Sequence, residues 1–282
     1  MSNRAASQKP SLDVSSLYGV KGKVCVVTGG ATGIGKMFAA AYVQNGAKVY
    51  IASRKIQPLQ AAADELNSWG PGKAIAIQAD VSSKAGCKAL CDEIRKHESK
   101  IHILVNNSGV SWGASLNDFP EKEGWDNLFS LNVKSLFYMT VGLLDLLEKD
   151  STNTEPARVI NISSVAGIVP IAENPLSAPG QGTWSYAASK SAASHLSRSL
   201  AASLAGRSIT VNAVAPGVFP SRMTAFGLSK HEDKLVATQP TGRVGDAQDM
   251  GGLALFLASR GAAHITGAVI PIDGGASLGA KL

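Results

Sequence analysis

The stretch Val24-Cys25-Val26-Val27-Thr28-Gly29-Gly30-Ala31-Thr32-Gly33-Ile34-Gly35 contains the pattern that decides the fold. Five β-favouring, mostly apolar residues are followed by a cluster of glycines, and apolar residues then continue toward Asn45-Gly46. This order predicts a buried strand, a tight turn and a helix that ends at a glycine. A strand that leads directly into a helix is the first half of a βαβ unit.

The turn itself predicts a binding site. Glycine lets the backbone turn sharply and approach a pyrophosphate, whose charge then lies at the helix N-terminus. Gly29, Gly33 and Gly35 occupy the required positions, and Thr32 and Ile34 complete the segment. In this strand–turn–helix context the glycines predict a dinucleotide site, with a purely structural turn as the alternative.

Short apolar runs alternate with helical stretches along the rest of the chain, which is typical of a parallel sheet buried on both faces. We therefore predict an α/β fold with one doubly wound, Rossmann-type sheet over residues 21–282, preceded by a loose N-terminal extension at 1–20. Long helices are predicted at Trp125–Leu147 and Tyr186–Leu204, and an irregular segment at Pro216–Gly245. The predicted strands are Val24–Thr28, Val49–Ala52, Ala74–Ala79, Ile101–Val105, Arg158–Ile162, Ile209–Ala213 and Val269–Ile272.

Composition excludes several classes of function. The chain has 282 residues and a formal charge of +6, but its Lys and Arg residues are scattered, which predicts a mildly basic enzyme surface and no nucleic-acid partner. Cys25, Cys87 and Cys91 have no nearby histidine, so we expect no metal site and a reducing, cytoplasmic location. No run of about 18 apolar residues is present, so no membrane partner is expected. Ala280-Lys281-Leu282 resembles a relaxed peroxisomal address, with a frayed tail as the alternative.

The end of the second predicted strand indicates the cofactor. Sites selective for NAD place an acidic residue there, where it accepts hydrogen bonds from the ribose hydroxyls. Here Ser53-Arg54-Lys55 follows the strand, and no carboxylate occurs until Asp64. A guanidinium pairs with a 2′-phosphate and stacks on adenine, and a neighbouring lysine adds charge. The sequence therefore favours NADP(H).

The chain resembles the short-chain dehydrogenase/reductase family over roughly residues 20–277. Further stretches within it are similar to the β-ketoacyl reductases of rhamnolipid synthesis, namely 111–114, 219–224 and 270–275. The motifs that carry the family resemblance are Thr28–Gly35, Asp80-Val81, Asn106-Asn107-Ser108-Gly109, Asn132, Ser164, Tyr186-x-x-x-Lys190 and Pro216-Gly217.

The chemistry of Tyr186 and Lys190 can also be argued from their spacing. Residues four apart on a helix share one face, and an ammonium about 4 Å away favours phenolate by about 4 kcal/mol at an effective dielectric of about 20. We therefore predict that Lys190 lowers the pKa of Tyr186 toward neutrality and makes it a general acid. Ser164, at the end of a strand, would hold the carbonyl oxygen, and Ser163 is a competitor for that role because strand alternation lets only one of them face the cleft.

The resemblance implies roles for the remaining candidates. Asn132 would hold a water that links Lys190 to a proton relay, and the family also implies a homotetramer built on the two long helices. Tyr186 and Lys190 would contact the cofactor as well as the substrate. The further cofactor contacts implied are Asp80, Val81, Asn106, Gly109, Pro216, Gly217, Val218 and Ser221.

The main departure from the family is the long spacing between Ser164 and Tyr186. Ala172–Thr183 reads as a Pro/Gly-rich insertion, and we expect it to wall the substrate pocket together with Trp112, Trp184 and the segment Phe219–Leu228. The leading interpretation is reduction of a 3-oxoacyl or polyketide-like ketone by NADPH. An alcohol or polyol dehydrogenase and a non-catalytic NADP-binding scaffold are the alternatives.

Overall fold

A parallel sheet of seven strands forms the centre of the molecule, in the order β3-β2-β1-β4-β5-β6-β7. The computed structural model describes residues 10–173 and 176–279. The predicted doubly wound sheet is confirmed, and the first and last strands have the predicted bounds. The strands are β1 (Val24–Thr28), β2 (Lys48–Ser53), β3 (Lys73–Gln78), β4 (Ile103–Asn106), β5 (Ala157–Ile162), β6 (Ile209–Pro216) and β7 (Val269–Ile272).

Helices cover both faces of the sheet. Alternation along β1 explains why: Cys25 and Val27 pack into the core on one face, and Val26 packs into the core on the other. The helices are α1 (Val14–Tyr18), α2 (Gly33–Gln44), α3 (Ile56–Asn67), α4 (Lys84–His97), α5 (Asn127–Phe129), α6 (Ser135–Gly142), α7 (Leu144–Glu148), α8 (Trp184–Leu204), α9 (Ala225–Ala237) and α10 (Ala247–Ala258). Buried residues of α2, α3 and α10 share the first core, and those of α4, α6 and α8 share the second.

Strand order fixes where ligands bind. The chain runs outward from β1 through β2 to β3 and then crosses back, so that β4 pairs with the opposite side of β1. In open α/β sheets this reversal opens a crevice at the carboxyl ends of the strands, where ligands bind. The Gly-rich turn after β1 and the residues after β4 and β5 lie at that edge.

Three stretches differ from the predicted elements. The expected helix Trp125–Leu147 is interrupted, with π-helical turns at Lys122–Asp126 and Ser130–Lys134 and a break at Leu143. The irregular segment expected at Pro216–Gly245 contains α9, and the expected loose extension contains α1, whose Tyr18 packs on Phe256. Tertiary contacts supply stability that local sequence does not reveal.

The structure bears on the membrane prediction but not on the peroxisomal one. Across residues 10–173 and 176–279, no helix combines the length and apolar character needed to cross a membrane. Ala280–Leu282, on which the peroxisomal prediction depends, lies outside the described residues.

Candidate active site

The Gly-rich turn is held in place by a side chain that the sequence analysis did not single out. Gly29 and Gly33 have φ values of +68° and +55°, which favour glycine. The Asn107 amide donates to the carbonyls of Thr28 and Gly29 at 2.9 and 3.1 Å. A Cβ on Gly35 would lie 2.4 Å from the Asn107 Nδ2 atom. The turn therefore needs both glycine and Asn107, and the only sequence signal for Asn107 was its place in the Asn106–Gly109 motif.

The helix that follows this turn offers unpaired backbone donors. Thr32 is the N-cap of α2, is exposed, and its side chain makes no capping hydrogen bond. The first N–H groups of a helix without such a cap are available to an anion. Gly33 faces the loop after β6, because a Cβ there would lie 3.0 Å from the Ser221 Cβ. Ile34 is partly buried against the first core. The turn and Ser221 thus face each other across the crevice.

The predicted 2′-phosphate site lies at the carboxyl ends of β2 and β3. Arg54 and Lys55 are exposed directly after β2. Gln78 donates to the Arg54 carbonyl at 2.9 Å, which fixes the backbone there. Burial opposes ionisation of Asp80, but hydrogen bonds from Ser82 and the charge of Arg54 outweigh it and lower the pKa of the Asp80 carboxyl. Arg54 and Asp80 therefore lie close together, as an adenine-ribose site requires.

Two neighbouring residues have less freedom to contact a ligand. Ser53 is the last residue of β2, and its Oγ contacts the Lys55 carbonyl at 3.5 Å, a weak hydrogen bond. Val81 is buried in the second core. A contact between Val81 and adenine would therefore use its backbone.

Ser164, Tyr186 and Lys190 come together at the carboxyl edge of β5. Ser164 begins the loop after β5, and Tyr186 and Lys190 lie on the first turns of α8. The Ser164 hydroxyl lies close enough to the Tyr186 phenol to lower its pKa. The Lys190 amine is buried, donates to the Ile162 carbonyl at 2.8 Å, and lies 5.6 Å from the centre of the Tyr186 ring. A hydroxyl pair with an amine behind it can hold a carbonyl oxygen and deliver a proton.

The predicted direction of the Tyr186 pKa is wrong. Burial raises the pKa of the Tyr186 phenol, and the nearby Ser164 hydroxyl offsets this rise only in part. Burial also lowers the pKa of Lys190 to about 8. The spacing argument left out burial, which is the largest influence on the pKa of Tyr186. Without ligand, Tyr186 is therefore a protonated phenol at neutral pH, and Lys190 holds its proton less strongly than an exposed lysine does.

The two serines at the end of β5 face different sides. The Ser163 hydroxyl donates to the Lys190 carbonyl at 2.8 Å and contacts the Ser194 hydroxyl at 2.8 Å, so it ties β5 to α8. The Ser164 hydroxyl accepts from the Ala166 N–H at 3.1 Å and meets Tyr186. Ser164 is therefore the serine that lies beside the phenol.

Asn132 is buried in a π-helical turn and clamps the loop after β4. Its amide accepts from the Val110 N–H and donates to the Val110 carbonyl, both at 2.9 Å. The same amide donates to the Ser189 hydroxyl at 3.0 Å. A Cβ on Gly109 would lie 3.3 Å from Asn132 Oδ1 and 3.4 Å from Lys190 Nζ. π-Turns often occur at functional sites, and this one brings Gly109, Asn132 and Lys190 together. Ser189 was not predicted.

Asn106 points away from the crevice. Its amide donates to the Asn161 side chain at 2.9 Å and to the Thr140 hydroxyl at 3.2 Å, inside the core between the sheet and α6. Strand alternation explains the difference from Asn107, which faces the Gly-rich turn. A cofactor contact by Asn106 would therefore use its backbone.

The loop after β6 lies against the end of β7. Pro216 ends β6, and the Gly217 N–H donates to the Ile272 carbonyl at 2.9 Å. A Cβ on Gly217 would lie 2.8 Å from the Asp273 Cα, so the close approach requires glycine. Val218 is buried and accepts from the Gly245 N–H at 2.9 Å. This packing holds Ser221 opposite the Gly-rich turn.

Comparison with known proteins agrees with this arrangement. The family model for short chain dehydrogenases matches residues 23–231. The rhamnolipid-biosynthesis 3-oxoacyl-(acyl-carrier-protein) reductase of Pseudomonas aeruginosa is 42% identical over 261 residues, covering 92% of this chain and 97% of that protein. The 3-oxoacyl-(acyl-carrier-protein) reductase of Thermotoga maritima is 34% identical over 256 residues, covering 91% and 98%.

A solved structure matches as well. The Pseudomonas aeruginosa RhlG/NADP active-site complex has a TM-score of 0.85 and 40% sequence identity, and the match covers 93% of this chain and 99% of that one. The resemblance and the enzyme class predicted from the sequence are confirmed by these matches. This chain therefore belongs to the short-chain dehydrogenase family.

Proposed function

We propose that this chain is an NADPH-dependent reductase that converts the ketone of a 3-oxoacyl compound to a secondary alcohol. The observation that carries the proposal is the placement of the Ser164 hydroxyl beside the Tyr186 phenol at the carboxyl edge of the sheet, with the buried Lys190 amine near the same ring. Two relatives whose names describe 3-oxoacyl reductases support the substrate class. The NADP complex of RhlG supports the cofactor.

The crevice fits a phosphorylated dinucleotide. Gly29 and Gly33 have no side chains, so the turn leaves room for a pyrophosphate. The uncapped N-terminus of α2 offers N–H donors to it. Arg54 and Lys55 are exposed where the 2′-phosphate would lie. The remaining residues that would hold NADPH are Thr32, Ile34, Gly35, Ser53, Asp80, Val81, Asn106, Gly109, Tyr186, Lys190, Pro216, Gly217, Val218 and Ser221.

The catalytic residues act on the carbonyl oxygen. When bound beside these residues, NADPH would supply the hydride for the carbonyl carbon. The Ser164 and Tyr186 hydroxyls donate hydrogen bonds to the oxygen and stabilise the negative charge that develops there. Because burial raises the pKa of Tyr186, the phenol carries its proton at neutral pH and gives it to that oxygen.

Lys190 stabilises the phenolate that remains. With its pKa near 8, it is cationic at neutral pH and neutral in more alkaline solution. Asn132, which lies within the same cluster as Gly109 and Lys190, would hold a water that returns a proton to Tyr186. The reduction rate should therefore fall as the pH rises above about 8.

Replacing the phenol tests the proposal. Tyr186→Phe should lower kcat for NADPH-dependent ketone reduction by about 100-fold or more, since it removes the proton donor. NADPH should still bind to this variant, with the same change in NADPH fluorescence as with the parent chain. Tyr18→Phe is a matched control, because Tyr18 lies on α1, well separated from Tyr186 in the sequence, and its side chain is 41% exposed. Retention of ketone reduction by Tyr186→Phe would contradict the assignment of Tyr186.

We also propose that the chain assembles as a homotetramer through α6 and α8. Phe137 and Val141 lie one turn apart on α6 and are 41% and 43% exposed, and large apolar side chains that share a surface favour association. Light scattering should give four times the chain mass. A monomeric mass would contradict this proposal.

We further propose that the insertion walls the substrate pocket. Gly182 and Ala114 form an antiparallel bridge, with N–H···O distances of 2.9 and 3.2 Å. Thr183 closes the base of the insertion through hydrogen bonds to the Ala172 carbonyl. The loop after β4 and the insertion are therefore tied together beside Ser164 and Tyr186. Shortening the insertion should change the order of preference among ketones, and unchanged kinetics across substrates would contradict this role.

For the compartment, we propose a reducing one such as the cytoplasm. Cys25, Cys87 and Cys91 are all unpaired and buried. Burial raises the pKa of Cys87 to about 11 and that of Cys91 to about 12, which keeps both thiols protonated and unreactive. Cell fractionation followed by immunodetection tests the location, and recovery with an oxidising compartment would contradict it.

A further inference from the structure

The hydroxyl of Ser189 joins the first turns of α8 to the π-helical turn Ser130–Lys134. It donates to the Tyr186 carbonyl at 2.8 Å and accepts from the Asn132 amide at 3.0 Å. Ser189 and Asn132 are both fully buried. We propose that Ser189 is a positioning residue that fixes α8, and with it the proton donor Tyr186, relative to Asn132, an inference that rests on the proposed ketone reduction.

The side-chain amide of Asn132 has two N–H groups, and both are used. One donates to the Val110 carbonyl at 2.9 Å, and the other donates to the Ser189 hydroxyl. The Asn132 oxygen accepts from the Val110 N–H, also at 2.9 Å. A continuous chain of hydrogen bonds therefore runs from the loop after β4 through Asn132 and Ser189 to the backbone of Tyr186.

The Lys190 amine lies beside this chain of hydrogen bonds. A Cβ on Gly109 would lie 3.3 Å from Asn132 Oδ1 and 3.4 Å from Lys190 Nζ, so both groups border the same residue of the loop after β4. Lys190 follows Ser189 directly in the sequence, so a shift of α8 at Ser189 moves the amine and the Tyr186 phenol together. A displacement of about 1 Å in a reacting group lowers the rate by about 100-fold. Loss of the Ser189 hydroxyl should therefore slow the chemical step.

Ser197 offers a matched control about two turns further along α8. Its hydroxyl accepts from the Asn161 amide at 2.9 Å and donates to the Ala193 carbonyl at 2.7 Å, and it is as buried as Ser189. The two serines therefore bond in the same way and differ in their partner, because Asn161 lies on β5 and Asn132 lies at the proposed site. A serine that bonds a carbonyl of the preceding turn is common in helices. A purely structural role would therefore give both substitutions the same effect.

Alanine at each serine tests the proposal. Ser189→Ala and Ser197→Ala each leave a buried amide N–H without its acceptor, so both should lower the urea concentration at the midpoint of unfolding by similar amounts. With NADPH and a short 3-oxoacyl thioester of N-acetylcysteamine, Ser189→Ala should lower kcat by about 10- to 100-fold. Ser197→Ala should keep kcat within about twofold of the parent chain, because the reacting groups stay in place.

NADPH affinity separates positioning from cofactor binding. The proposed pyrophosphate and 2′-phosphate contacts use the Gly-rich turn and Arg54, which lie on other elements. Titration of NADPH fluorescence should therefore give Ser189→Ala a dissociation constant within about threefold of the parent value. A kcat of Ser189→Ala within about twofold of the parent, or an equal fall in Ser197→Ala, would overturn the proposal. A loss of NADPH affinity as large as the loss of kcat would overturn it too, since the hydroxyl would then serve cofactor binding.

A second variant and a measurement without turnover complete the test. If Ser189→Ala does not fold, Ser189→Cys fills the space with a thiol, which is only a weak donor and acceptor; kcat should still fall, and an unchanged kcat would overturn the proposal. In hydrogen exchange, the Val110 N–H that Asn132 holds should lose protection in Ser189→Ala and keep it in Ser197→Ala. If the parent chain reduces no ketone, the proposed function is wrong, whereas unchanged protection of Val110 refutes only the role of Ser189.

Discussion

Replacing Lys190 by methionine should stabilise the cofactor-free protein at neutral pH while abolishing its activity. Lys190 is 4% exposed, and burial lowers its pKa from the ordinary value of 10.5 to about 8. Each unit by which the pKa falls corresponds to about 1.4 kcal/mol, so the protonated amine destabilises the folded state by about 3 kcal/mol. Lys190→Met keeps the approximate length of the side chain and removes its charge.

The sign of the effect follows from proton counting. Between pH 8 and 10.5 the unfolded chain binds the Lys190 proton and the folded chain has lost it, so the free energy of unfolding rises with pH in this window. Below about pH 8 both states are protonated and the whole cost is present. The methionine variant escapes this cost but loses the hydrogen bond to the Ile162 carbonyl, which contributes about 1 kcal/mol. The net gain near neutral pH is about 2 kcal/mol.

Urea unfolding of both proteins from about pH 6 to about pH 10 measures this effect, because all other titrating groups cancel in the difference. The advantage of Lys190→Met should be about 2 kcal/mol near neutral pH and should disappear as the pH approaches 10. Lys21→Met, at an exposed lysine, should show no comparable pH dependence. A variant that is less stable than the parent at neutral pH, or a difference that stays constant with pH, would refute the argument.

Three further substitutions test other parts of the site. Arg54→Asp should weaken the use of NADPH by about 10- to 100-fold and improve the use of NADH, as steady-state kinetics with both cofactors would measure; an unchanged preference would remove Arg54 from the site. Asn107→Ala should cost about 1–3 kcal/mol in urea unfolding and weaken NADPH binding, because two turn carbonyls lose their donor; unaltered affinity would contradict this. Asp246→Ala should cost about 1 kcal/mol by removing the capping box of α10, with NADPH affinity unchanged.

The sheet could be predicted because its strands are short apolar runs bounded by glycine and polar residues. Val24–Thr28 and Val269–Ile272 have the predicted bounds for this reason. The helix Ala225–Ala237 could not be predicted, since its sequence contains Gly227 near its start and its backbone kinks at His231. It buries only Gly227 and Leu235, so the sequence shows no apolar face that would have indicated a helix.

At the site, motif spacing predicted which residues meet but not how each side chain is directed. Asn106 and Asn107 are chemically identical, and only their position relative to β4 turns one into the core and the other toward the Gly-rich turn. The pKa of Tyr186 was mispredicted because a pairwise attraction was weighed without burial. Burial depends on the whole fold, and it is the largest influence on the pKa of both Tyr186 and Lys190.

The environment of Lys190 is itself an argument for catalysis. A protein selected only for stability would not keep a cation in its core at a cost of about 3 kcal/mol, since methionine or leucine would fill the same space. Here the amine is held by a backbone carbonyl, next to a clamp formed by Asn132 and Ser189. Perturbed ionisable groups that cluster at a ligand-binding edge are typical of active sites. The cost of burying this cation falls where the proposed chemistry needs a charge beside the proton donor. A non-catalytic scaffold would gain nothing from that cost.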